Sequence, residues 1–62
     1  MEYSLEGIDS NAFSVMNYVS SCMKKEYIPM DAILAYRSNA TEGSYDDLLQ
    51  ISMEVIRGLN EK

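Results

Sequence analysis

The chain has 62 residues, with 5 Lys and Arg against 10 Asp and Glu, no His, no Trp and one Cys, for a formal charge of −5. A lone Cys22 closes no internal disulfide, and without histidine it builds no structural zinc site. A domain this short buries only about 60% of the surface its unfolded chain exposes, so self-association is the remaining way to add stability, and a homodimer is an expectation.

Residues 1–62 are read as one domain. The hydrophobic share of 47% suits a globular chain and is too high for a disordered one. No stretch approaches the roughly 18 apolar residues of a membrane span. The start, Met1 to Glu6, is acidic and lacks the basic and apolar regions of a signal peptide. The expectation is a cytoplasmic protein with reduced Cys22, in which the sequon Asn39-Ala40-Thr41 is a chance match. Binding to a nucleic-acid backbone needs clustered cations. Here Lys24-Lys25 is the only adjacent basic pair, so neither direct nucleic-acid binding nor an anionic membrane surface is expected.

Breakers at Gly7 with Asp9-Ser10, at Pro29 and at Glu42-Gly43-Ser44 divide the chain into three periodic segments. Before the first, Tyr3 and Leu5 alternate with polar neighbours over residues 2–6, which suggests a short strand or an extended arm. The first helix is predicted at about residues 10–26, capped by Asp9 or Ser10. Ala12, Met16, Val19, Met23 and Tyr27 share its apolar face, with Val15, Tyr18 and Cys22 on the edge. Asn17, Ser21, Lys24 and Lys25 lie opposite, and the two lysines suit the negative end of the helix dipole. Phe13 falls toward the polar arc, so it either packs under the N-terminal arm or anchors a partner.

The second helix is predicted at about residues 29–40. Pro29 sits at its start, where a missing N–H is harmless, and Asp31 meets the positive end. Ile33, Tyr36 and Ala40 form its inner face, with Met30 and Arg37 beside it. The third helix is predicted at about residues 45–60, behind Ser44-x-x-Asp47, a variant of the capping box. Tyr45, Leu48, Leu49, Ser52, Val55, Ile56 and Leu59 form its apolar stripe, and Asp46, Gln50, Glu54 and Arg57 lie opposite. Ser52 inside the stripe fits a close helix crossing, its hydroxyl bonded to a carbonyl one turn earlier. Gly58 marks fraying or termination of this helix. Met16, Met23, Met30 and Met53 read as adaptable core filling, and Tyr18, Tyr27, Tyr36 and Tyr45 suit core edges or an interface.

Catalytic chemistry is poorly supplied. There is no histidine, and Cys22 on an apolar face behaves as a small hydrophobe. Asp46 and Asp47 are neighbours about 100° apart on a helix, so they suit its N-terminal dipole better than a shared-proton pair or a metal clamp. Glu6, Asp9 and Glu42 could supply oxygens to a loose calcium site, but no EF-hand pattern is present. Gly7, Gly43 and Gly58 are isolated and form no phosphate-cradling loop. No metal and no cofactor are expected.

Gly7-x-Asp9-x-Asn11-Ala12-Phe13-x-x-Met16, then Ala40-Thr41-x-Gly43-x-Tyr45-Asp46-x-Leu48-Leu49 and Met53, resembles an uncharacterised family of short, acidic bacterial and phage-borne proteins. Those proteins carry a "GNAF" start, an "EAT-x-GDY" turn and an "LL" helix. The resemblance covers about residues 5–56 and implies a compact helical domain with no assigned activity. Ser10 replaces the family's glycine, Ser44 stands where it often has Asp, and Arg57-Gly58-Leu59-Asn60 replaces its aromatic, acidic ending. That last departure puts a C-terminal strand in doubt.

The sequence therefore predicts a mainly α, three-helix domain with an N-terminal strand or arm. The leading functional expectation is a non-enzymatic interaction or regulatory module, with a mobile element as one source. Its partner is another protein or a second copy, and its candidate contacts are Asn11, Phe13, Tyr18, Tyr45 and Asp46. The alternative is an acidic decoy that occupies a nucleic-acid-binding protein. The remote alternative is an enzyme whose site forms between subunits from Asp9, Asn11, Tyr45 and Asp46.

Overall fold

In a computed structural model the described residues are 3–61. They form three helices, α1 (Ala12–Lys25), α2 (Met30–Glu42) and α3 (Tyr45–Asn60). Each helix packs on both others, α1 against α3 most extensively. The radius of gyration, 10.6 Å, equals the roughly 10.6 Å expected of a compact chain of this length. The arm is therefore folded onto the bundle. No strand is present among the described residues.

The first helix starts later than Asp9 or Ser10. Its cap is Asn11, whose Oδ1 accepts from the N–H groups of Phe13 (2.8 Å) and Ser14 (3.4 Å). The carbonyl of Asp9 instead accepts from the Asn11 N–H at 2.7 Å, a tight turn that delivers Asn11 to the cap. Helix α1 ends in a Schellman motif. Ile28 N–H reaches the Met23 carbonyl (3.0 Å) and Tyr27 N–H reaches that of Lys24 (3.1 Å). Tyr27 takes the left-handed position of that motif, with φ 60°. This corrects its placement on the buried face: the helix is over before Tyr27, which is 93% exposed.

Helix α2 is capped by Pro29, whose carbonyl receives Ala32 and Ile33 N–H. It runs two residues past the predicted end at residue 40, through Glu42. Thr41 sits in that added turn, its hydroxyl donating to the carbonyls of Arg37 (3.1 Å) and Ser38 (3.0 Å). Helix α3 has the predicted bounds and a reciprocal capping box. Ser44 Oγ accepts from Asp47 N–H, and Asp47 Oδ2 accepts from Ser44 N–H. Gly43 is needed here because a Cβ on it would lie 2.9 Å from that of Asp47. Gly58 does not end α3, which continues through Asn60.

Val15, Met16, Val19, Cys22 and Met23 of α1 meet Ile33, Tyr36 and Ala40 of α2, and Leu48, Ile56 and Leu59 of α3, in one buried cluster. Val15 and Cys22, predicted at the edge, are inside it. Met30 and Met53, predicted as core filling, are about half exposed, and Tyr45 in the α3 stripe is also exposed. Met30 and Tyr45 lie in first turns, at the edge of the span over which three short helices cover one another, and Met53 lies off the buried Leu48-Ser52-Ile56-Leu59 line of α3. Ser52 is fully buried at the crossing of α2 and α3. Its hydroxyl does not turn back on its own helix but pairs with the Tyr36 hydroxyl at 2.6 Å. The buried phenol needs a partner, and Ser52 leaves room for the ring and supplies one.

Of the two expectations for residues 2–6, a strand or an arm, the described residues form the arm, with backbone groups paired by side chains. Glu2 of that prediction lies outside the described residues. Asn60 Oδ1 accepts from Tyr3 N–H at 2.6 Å and Asn60 Nδ2 donates to the Tyr3 carbonyl at 2.9 Å. Tyr18 Oη accepts from Ser4 N–H, and Ser4 Oγ from Glu6 N–H. These groups satisfy what an adjacent strand would otherwise pair. Tyr3 is buried and its hydroxyl donates to Glu26 Oε2 at 2.6 Å, so the arm crosses between the C-terminal ends of α1 and α3. Gly7, at φ +81°, then turns the chain toward α1.

Candidate interaction surfaces

Two of the five sequence-predicted contact residues are occupied with holding the fold. Asn11 is the α1 cap, and Tyr18 is half buried with its hydroxyl on the arm. The other three, Phe13, Tyr45 and Asp46, are exposed. Phe13 does not pack under the arm and is 68% exposed. Tyr45 and Asp46 occupy the first turn of α3, where Asp46 favours the positive helix end. Among the described residues no three acidic or sulfur side chains converge to hold a metal, so Glu6, Asp9 and Glu42 do not assemble the calcium site considered above.

Four of the six large exposed apolar residues lie on α1, on α2 or in the corner between them: Phe13, Tyr27, Met30 and Leu34. On α1, Phe13, Asn17, Ser20 and Lys24 follow one another at spacings of four, three and four, so they form one flank. On α2, Met30, Leu34, Arg37 and Thr41 do the same. Arg37 joins the flanks, its Nη1 donating to Asn17 Oδ1 at 3.3 Å and to Ser20 Oγ at 3.0 Å. The result is one α1/α2 face with Phe13 at one end, a polar bridge in the middle, and Tyr27, Met30 and Leu34 at the other. The sequence pattern missed Tyr27 and Leu34 as surface residues. Tyr27 kept the helical period by accident, and Leu34 is an apolar residue on a short helix with a weak pattern. The available signal was the Tyr27-Ile28-Pro29 run, because Pro29 requires the chain to leave α1 before it.

A second surface is the groove between the arm and α3. It has a volume of about 410 Å³ and its lining includes Leu5, Met53 and Ile56, with Glu6, Arg57 and Glu61 at the rim. Arg57 pairs with Glu61 at 3.6 Å, a contact that both exposed side chains keep weak.

Two tyrosine hydroxyls are held neutral. The pKa of Tyr3 is pushed up from 10.0 to about 12, first by its hydrogen bond to the Glu26 carboxylate and then by burial. That of Tyr36 is raised by burial, against a smaller opposing effect of Ser52. Both groups act as structural donors or acceptors rather than as bases. No described helix is long and apolar enough to cross a membrane. No protein-family model, curated protein or solved structure matches the chain.

Proposed function

We propose that this protein is a small interaction module that docks another protein through its α1/α2 face. The observation that carries the reading is Tyr27. A bulky residue in the left-handed region is strained relative to glycine by roughly 1 kcal/mol. Glycine or asparagine would serve the Schellman motif better. The Tyr27 side chain recovers nothing from the fold, because it is 93% exposed. Residues that break a local rule without an internal gain cluster at functional sites, which supports an external role for Tyr27. Tyrosine is also a favoured anchor at interfaces, and Phe13, Met30 and Leu34 supply apolar area on the same face.

The proposal includes kinship with the short, acidic bacterial and phage-borne proteins. The motif residues behind that resemblance include the cap Asn11, the turn glycine Gly7 and the capping-box neighbour Gly43. They support a shared fold; of the exposed apolar residues on the docking face, Phe13 belongs to the motif and Tyr27, Met30 and Leu34 do not.

The test is affinity capture from lysate of the native host, with nuclease, by the wild type, Phe13→Ala and Tyr27→Gly. The expected result is a stoichiometric protein captured by the wild type and lost with Tyr27→Gly, whose fold should be more stable. Capture of that protein undiminished by both substitutions would overturn the assignment of this face.

A further inference from the structure

The groove between the arm and α3 is independent of the α1/α2 face and shares no residue with it. It continues along α3. A second depression of about 400 Å³ is lined by Gln50, Met53, Glu54 and Arg57. Met53 and Arg57, one turn apart, line both depressions and form the ridge between them. Met53 is 54% exposed and lies beside the buried Ile56 and the half-buried Leu5. A methionine ridge suits an apolar guest because its flexible thioether adapts to different shapes.

Charge identifies the guest. Among the described residues the rim carries Glu6, Glu54 and Glu61, all exposed, against one cation, Arg57, which Glu61 already engages. The local excess of negative charge has the same sign as the −5 of the whole chain. A cationic partner is attracted at long range and again at the rim. A second copy in the same groove would bring Glu6, Glu54 and Glu61 against their own counterparts, and an anionic lipid surface would be repelled. The amide of Asn60 is spent on both backbone groups of Tyr3, so recognition rests on shape and charge.

We propose that this two-part groove binds a basic amphipathic segment of a partner protein. Its apolar side chains, spaced by one helical turn, enter the depressions on either side of Met53 and Arg57. Its Lys and Arg residues face Glu6, Glu54 and Glu61.

The experiment titrates the isotope-labelled full chain with a synthetic helical peptide that has leucines at i, i+4 and i+7 and lysines beside them. The control peptide carries Glu in place of each Lys. The Lys peptide is expected to shift the amides of residues 3–6 and 53–61, with an affinity that falls several-fold as salt is added. Met53→Ala, which removes the apolar ridge, and Glu54→Lys, both at exposed positions, should each weaken it roughly tenfold while the helical signal is retained. Equal binding of the two peptides, shifts confined to the α1/α2 face, or no shift at saturating peptide would overturn the proposal. So would dilution-dependent shifts of the same amides without peptide, which would make a second copy the occupant.

Discussion

The hydroxyls of Tyr36 and Ser52 lie 2.6 Å apart inside the contact between α2 and α3. They are the polar point of an otherwise apolar crossing, and the two deletions are not equivalent. Without Ser52, the Tyr36 hydroxyl is buried with no partner, at about 1–3 kcal/mol. Without the Tyr36 hydroxyl, Ser52 can turn to a carbonyl of its own helix. Ser52→Ala should therefore destabilise by about 1–3 kcal/mol and Tyr36→Phe by less, with the double variant losing less than the sum of the two, because it leaves no orphaned hydroxyl. Urea unfolding of the three variants measures this.

Replacing Tyr27 by Gly should stabilise the protein. The substitution relieves the left-handed strain and removes a side chain that touches nothing. The expected gain is about 1 kcal/mol, or roughly 4–8 °C in Tm for a domain of this size. A lower Tm in a calorimetric scan would show that Tyr27 contributes to the fold and would remove the ground for an external role.

Two glycines should respond in opposite directions to alanine. Gly58 lies inside α3 with open space where a Cβ would stand. Gly58→Ala should add about 0.4–1 kcal/mol. Gly7 also has open space, but its φ of +81° is unfavourable for an L side chain. Gly7→Ala should cost about 1 kcal/mol and loosen the arm. Chemical denaturation gives both signs directly.

The arm makes stability sensitive to alkali. Tyr3 has a folded-state pKa of about 12 against 10.0 unfolded, so its neutral form is favoured in the fold. That contribution is complete below pH 10 and is lost as the pH rises through about 12. Tyr36, raised by burial, acts in the same direction. The urea midpoint should fall between pH 10 and 12, and Tyr3→Phe should flatten that fall while losing the bond to Glu26 at neutral pH. An unchanged slope in Tyr3→Phe would contradict this assignment.

The clasp between Asn60 and Tyr3 has its own signature. Asn60 satisfies both backbone groups of Tyr3, at 2.6 and 2.9 Å. Asn60→Ala should cost about 1–2 kcal/mol and raise the exchange rate of the Tyr3 and Ser4 amides, with the α2 amides unchanged. Hydrogen exchange followed by NMR separates this local release from global loss.

Local chemistry made the helices legible. The capping box at Ser44 and Asp47, the proline before α2 and the long stripe of α3 act within a few residues, so periodicity and spacing located α3 to its observed ends. The inner faces of α2 and α3 were equally readable, because Ile33, Ala40, Leu48, Ile56 and Leu59 have no other way to leave water. The candidate contacts were less legible. Asn11 and Tyr18 are polar and conspicuous in a sequence, but both are satisfied within the fold.

The sequence by itself determined three helices, the capping box of the third, an acidic composition and a reduced set of possible chemistries, since propensity and composition need no distant neighbour. Only the tertiary structure decided three things: that Ser52 pairs with Tyr36, that Asn60 replaces a strand beside Tyr3, and that an arm and a helix enclose a groove. Each depends on residues separated by a turn or by most of the chain, as with Tyr3 and Asn60. Such pairings are set by how the helices cross, and no local period records them.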